Sequence, residues 1–263
     1  MKFAQCILTA AAALSALAHA ETIEEKGKRL IGETLEALGG KTFLAVTDRV
    51  ESGRAYSFYN DRLTGLSRAK IYTRYLMQPS PKGLAVREKQ SFGKDEDTSV
   101  LFNEQGEGWE LTFRGARPIA PDRLARYEDS TVRNIFYLLR HRLNEPGLIF
   151  ESRGSEVLVN IPVEKVDITD SQNRVMTVYL HYSTKLPVRQ IFIRRDADKV
   201  RHEEVTWFDK YRDVGGGVKW PFVQRRERDG EKVYELFAES VQVNKGLLDD
   251  LFALPVGTKE LKR

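Results

Sequence analysis

Apolar positions recur at helical spacing in only two long stretches of this sequence. Over residues 22–38, Ile23, Leu30, Ile31, Leu35 and Leu38 form one stripe opposite a charged face. Thr22 followed by Glu25 fits a capping box, and Gly39-Gly40 is a stop signal. Between Pro121 and Leu143 the stripe is Val132, Ile135, Phe136, Leu139 and Leu143. Asp129 or Ser130 can cap its start, and Asn144-Glu145-Pro146-Gly147 ends it. A short third helix is predicted over Lys245 to Phe252.

Elsewhere the period is two. Strand-like runs lie near 49–59, 66–77, 84–92, 98–103, 108–114, 147–152, 156–161, 163–169, 174–182, 187–195, 200–212, 218–228 and 231–243. Turn chemistry separates most of them: Asn60-Asp61, Gly106-Glu107-Gly108, Gly215-Gly216-Gly217 and Asp229-Gly230. Asp229-Gly230 between two long runs is the clearest hairpin, since Asp-Gly suits the positive φ angles of a tight turn. Strands succeed one another without intervening helices, which argues for an antiparallel meander and against a parallel α/β sheet. No repeat or long linker interrupts them, so residues 21–263 read as one domain.

The expected fold is therefore α+β: a strongly curved antiparallel half-barrel of about eleven strands, covered by two or three helices. A concave sheet under helices leaves either a filled core or a cavity. Alternation puts Val205, Trp207 and Tyr211 on one side of their strand, and Ile71, Thr73, Tyr75 and Met77 on one side of theirs. The wall residues predicted for a cavity are Tyr56, Phe58, Ile71, Tyr75, Trp109, Phe113, Val205 and Trp207, with Ile135, Phe136 and Leu139 from the covering helix. The same side chains serve equally as core, and a one-residue slip in register exchanges the two faces.

The first twenty residues stand apart. Lys2, an apolar run from Ile7 to Leu17 and the exit Ala18-His19-Ala20 have the anatomy of a secretory signal peptide cleaved after Ala20. Cys6, the only cysteine, lies within it, so the mature chain has no thiol for disulfides, nucleophilic catalysis or metal binding. Cleavage removes one base and lowers the net charge from +4 to +3, too weak for a nucleic-acid footprint. Mixed runs such as Arg201-His202-Glu203-Glu204 read as solvated faces.

Catalytic signatures are sparse. His141, His181 and His202 lie far apart and in no metal-ligand spacing, and there is neither a Gly-x-Ser-x-Gly elbow nor a phosphate-cradling Gly-x-x-x-x-Gly-Lys. Asp95-Glu96-Asp97 lacks the spacing of a calcium loop. The chain reads as a non-enzyme with no metal.

The last third carries a family resemblance. Val205-Thr-Trp-Phe-Asp-Lys-Tyr-Arg-Asp-Val214 precedes Gly217-Val-Lys-Trp-Pro221, the Arg228-Asp-Gly230 hairpin, Val241-Gln-Val-Asn244 and Leu251-Phe-Ala-Leu-Pro255. This order resembles the C-terminal half of the LolA-like superfamily of outer-membrane lipoprotein-sorting proteins. Leu35-Glu-Ala-Leu-Gly-Gly40 followed by Val50-Glu-Ser-Gly53 is similar to the beginning of such proteins. The resemblance implies a bent sheet with a helical lid, no cofactor, and a periplasmic carrier for the acyl chain of a lipoprotein or lipid, with transient membrane contact. It equally accommodates an envelope sensor that holds a protein partner and no lipid; an uncharacterised hydrolase is the third alternative.

Overall fold

The computed structural model describes residues 20–79 and 83–261; the predicted leader falls outside the described residues. Thirteen strands form a single sheet in which each neighbouring pair is antiparallel. A first meander runs outward from β1 (Asp48–Tyr59) through β2 (Arg62–Tyr75), β3 (Val86–Phe92), β4 (Thr98–Phe102) and β5 (Gly108–Thr112) to β6 (Gly115–Pro118). A second begins at the opposite edge with β7 (Ile149–Leu158). It returns through β8 (Ile161–Thr169), β9 (Val175–His181), β10 (Pro187–Arg195), β11 (Arg201–Asp213) and β12 (Lys219–Arg228) to β13 (Glu231–Val243). There β13 pairs with β1 and joins the two halves, while β6 and β7 remain the edges of an open sheet. Bulges at Ser52/Gly53, Ser57/Phe58, Ser152/Ser155 and Arg226/Glu227 bend the strands.

This topology dictates the lid. The link from the β6 edge to the β7 edge must cross the whole sheet, and it crosses the concave face as two helical pieces. The first is α3 (Pro121–Val132); the second is α4 (Ile135–Tyr137), continuing as a π-helical turn through Leu138–Arg142. The single helix predicted over 121–143 is thus broken. Asn134 interrupts it by adopting an extended backbone and capping the second piece, its side chain accepting from the amides of Phe136 and Tyr137.

The leading helix α1 (Ile23–Ala37) carries the predicted capping box between Thr22 and Glu25. Gly39 in the left-handed region stops it, and a short α2 (Gly40–Leu44) follows. Leu30 and Ile31 of α1, its C-cap Leu38, Phe43 of α2, and Ile135, Leu138 and Leu139 fill the concave face over the second meander, against Phe150, Val166, Ile168, Val178, Leu180 and Phe208. Arg140 ties the layers together by donating to the carbonyls of Phe43, Leu44 and Val46.

The expected open antiparallel sheet is present, with thirteen strands among the described residues. Two further expectations needed correction. The run at 156–161 is cut by a turn at Val159-Asn160, both with positive φ. A β-branched residue rarely takes that conformation, so the hairpin carried no turn signal. The third helix shrinks to a 3₁₀ turn at Asp249–Phe252, where Phe252 packs on Val50 and Tyr72 against the outer face.

Candidate ligand-binding concavity

The helical layer fills one half of the concave face and leaves the other half hollow. Beneath α3 lies a cavity of about 840 Å³ bounded by β1–β4 and β10–β13, within the size range of small-molecule sites. Its roof is held by a ring stack, with Tyr127 of α3 on Phe102 of β4, centroids 3.5 Å apart and nearly parallel. Its inner end is Phe136, packed against Phe208 at 5.1 Å and Trp220 at 4.7 Å. Ile71, Phe92, Phe192, Tyr234 and Leu236 supply further apolar wall.

The lining is not the uniformly greasy one expected. Alternation on β1, β3, β11 and β12 turns charged and amide side chains inward, among them Arg49, Glu51, Glu88, Glu204, Gln224, Arg226 and Arg228. At the inner end, Glu51 accepts from the Trp220 indole at 3.1 Å and the Gln224 amide at 3.3 Å, and pairs with Arg49 at 2.6 Å. Burial raises the Glu51 carboxyl above its ordinary pKa, with the Arg49 charge opposing. Arg49 lies 4.0 Å from the Trp220 ring centroid and donates to Thr73 and Tyr75. At the other end, beside the β12–β13 turn, Glu204 pairs with both Arg194 at 3.2 Å and Arg228 at 3.0 Å.

Of the predicted wall residues, Ile71, Tyr75 and Phe136 line this cavity. Val205 borders it between Glu204 and Thr206, but is cross-strand from Ile191, part of the outer cluster of Val163, Tyr179 and Trp207. Trp207 sits in that outer cluster between the guanidinium groups of Arg189 and Arg225. Tyr56 packs edge-on against Phe237 at 5.6 Å, and Phe58 lies under the Lys232 ammonium. Trp109 pairs with Leu101, which faces the C-terminal segment, and Phe113 is 88% exposed at the β5–β6 turn. Ile135 and Leu139 are buried in the filled half. Three of these displacements are one-residue slips: Ala55 and Ser57 line the hollow where Tyr56 and Phe58 were expected, and Thr206 where Trp207 was.

The inward polar residues were missed because charge on a strand reads as a solvated face; Glu204, in the Arg201–Glu204 run, points into the hollow instead. The histidines lie outside it. His202 bridges Asp196 and Asp229 between two surface turns, and His181 accepts from the amides of Ser183 and Thr184. No group of three or more His, Cys, Asp or Glu side chains converges on a metal position among the described residues.

An open antiparallel sheet with a roofed concavity is a fold of the half-barrel type. No protein-family profile and no curated protein matches the sequence. Among solved structures, the chain is similar to a domain assigned as an outer membrane lipoprotein-sorting protein from Vibrio parahaemolyticus, with TM-score 0.58, 15% identity, and coverage of 87% of this chain and 97% of that one. It is also similar to a DUF1329 family protein from Desulfovibrio piger, with TM-score 0.60, 13% identity, and coverage of 88% and 98%. A LolA superfamily protein from Nitrosomonas europaea matches with TM-score 0.51, 10% identity, and coverage of 86% and 97%. The chain therefore has a LolA-like fold. Among the described residues, no helix is long and apolar enough to cross a membrane.

Proposed function

We propose that this protein is an exported, non-enzymatic carrier that takes an acyl chain of a lipoprotein or lipid into the cavity beneath α3, in the periplasm, for delivery toward the outer membrane. The observation that carries the reading is the hollow itself: the helices pack the concave face over β7–β9 and leave it open beneath α3. Burying an alkyl chain is worth about 0.8 kcal/mol per methylene, so ten methylenes supply roughly 8 kcal/mol before entropic costs, without any exact residue spacing. Ile71, Tyr75, Phe136, Phe192, Trp220 and Leu236 are the proposed contacts for the tail. Leu63 and Leu66 stand exposed at the β1–β2 end, and Leu66 reaches the rim, as a surface for transient membrane contact requires.

The test is to purify the mature protein, extract it with organic solvent and identify co-purifying lipid by mass spectrometry, alongside displacement of a fluorescent fatty acid. A disulfide engineered at the Phe102–Tyr127 contact, locking α3 to the sheet, is expected to reduce uptake. Neither extracted lipid nor displacement would refute the carrier and favour an envelope sensor acting on a protein partner.

A further inference from the structure

The charges in the cavity are not evenly matched, and the surplus lies at one end. Arg226 and Arg228 project from the same face of β12, two residues and hence about 7 Å apart. Arg123 and Arg126 descend on them from α3, and Arg194 joins from the end of β10. The carboxylates facing this group are few. Glu204 is shared by Arg194 and Arg228, Glu110 is held by Arg123 and Arg117, and Asp122 approaches Arg126 only at 3.9 Å from an exposed position. Glu88, further along the wall, is engaged by Gln90 and Thr73. Arg226, exposed on the cavity rim, makes no ion pair among the described residues; its guanidinium lies 5.7 Å from the Tyr234 ring centroid. The Arg126 Nε is buried without a hydrogen-bond partner, while the side chain as a whole is 39% exposed toward the cavity mouth. Burial, together with Arg228 and Arg194, disfavours the charged form of Arg126.

Like charges gathered in a partly desolvated pocket repel, and unpaired buried donors cost free energy. An oxyanion placed among them reverses both effects at once, because guanidinium groups present forked donors that match carboxylate and phosphate oxygens. The position also suits an amphiphile. The arginines lie next to the Asp229-Gly230 turn, while Phe136 and Trp220 lie at the far end of the same hollow.

Resting on the carrier reading above, we propose that the ligand is an anionic amphiphile whose carboxylate or phosphate head group is bound by Arg126, Arg226 and Arg228, with its alkyl chain directed along the cavity toward Phe136 and Trp220. The site thereby selects by head-group charge as well as by chain.

The experiment measures binding to the full mature protein of three ligands with one oleoyl chain: oleate, oleoyl lysophosphatidic acid and the uncharged monoolein. At least one anionic ligand is expected to bind roughly tenfold to a hundredfold tighter than monoolein, the range that a single net charge-assisted hydrogen bond supplies. Which anion wins distinguishes a carboxylate from a phosphate head. The preference should shrink with added salt and fall toward unity in R126Q/R226Q, and R126K/R226K should restore part of it. Equal binding of all three ligands by the unaltered protein overturns the head-group site and leaves the carrier intact. Binding of none overturns both. The wild-type comparison decides even if the glutamine variant folds poorly.

Discussion

Gly27 of α1 separates helix propensity from tertiary packing with a sign that can be worked out in advance. In an exposed helix, Gly→Ala stabilises by about 0.5–1 kcal/mol. At Gly27 the added Cβ would stand 2.5 Å from the carbonyl oxygen of Phe150 and 2.6 Å from its carbon, where ordinary contact begins at 3.4 Å, so one element must give by about 0.9 Å. The obstacle is main chain in a strand paired along β8, with no flexible tip to rotate away. Overpacking of this kind costs typically 1–3 kcal/mol, and an unyielding backbone puts it near about 3. Net of propensity, Gly27→Ala should lose about 2 kcal/mol. At Gly32 on the same helix an added Cβ would meet nothing within 4 Å, and Gly32→Ala should gain the full propensity increment. Urea unfolding of both variants measures the difference. If Gly27→Ala equals or exceeds the wild type in stability, the close docking of α1 on β7 is wrong, and with it the account of why this half of the sheet is filled.

Other expectations follow from the buried groups. Phe136→Ala removes a 6%-exposed ring from between Phe208 and Trp220; because one side already faces the hollow, the cost should be near about 3 kcal/mol, the low end for a core phenylalanine, read by denaturant melts. Glu51→Gln leaves the buried Arg49 without its counter-charge and should cost about 3–5 kcal/mol, whereas replacing both residues by leucine should cost less than either single change; a double-mutant cycle decides. His141 is held to a pKa of about 4, chiefly by burial and then by Arg140. Its folded form therefore resists a proton that the unfolded chain takes near 6.5. Its contribution is complete above pH 6.5 and lost as pH falls toward 4, by up to about 2 kcal/mol after discounting for partial exposure. His141→Gln should flatten stability against pH across that window, and an unchanged slope counts against the burial of this ring.

Local order was legible in the chain because it is written in short-range signals. The Thr22–Glu25 box starts α1 where expected, and Asn60-Asp61 and Asp229-Gly230 turn their hairpins at the predicted places. The period-two runs already specified an antiparallel α+β architecture with a helical insertion between two meanders. Tertiary structure alone decided three things. It decided where the helices press and where they do not, because the β6–β7 crossing fixes the lid while the length of α3 and α4 fixes how much of the concave face they cover. It decided which side of each strand faces inward, since period two is indifferent to direction: Ala55 and Thr206, not Tyr56 and Trp207, meet the cavity. And it turned Glu204 and Arg228 inward, because a charge on a strand looks solvated until the sheet curls around it.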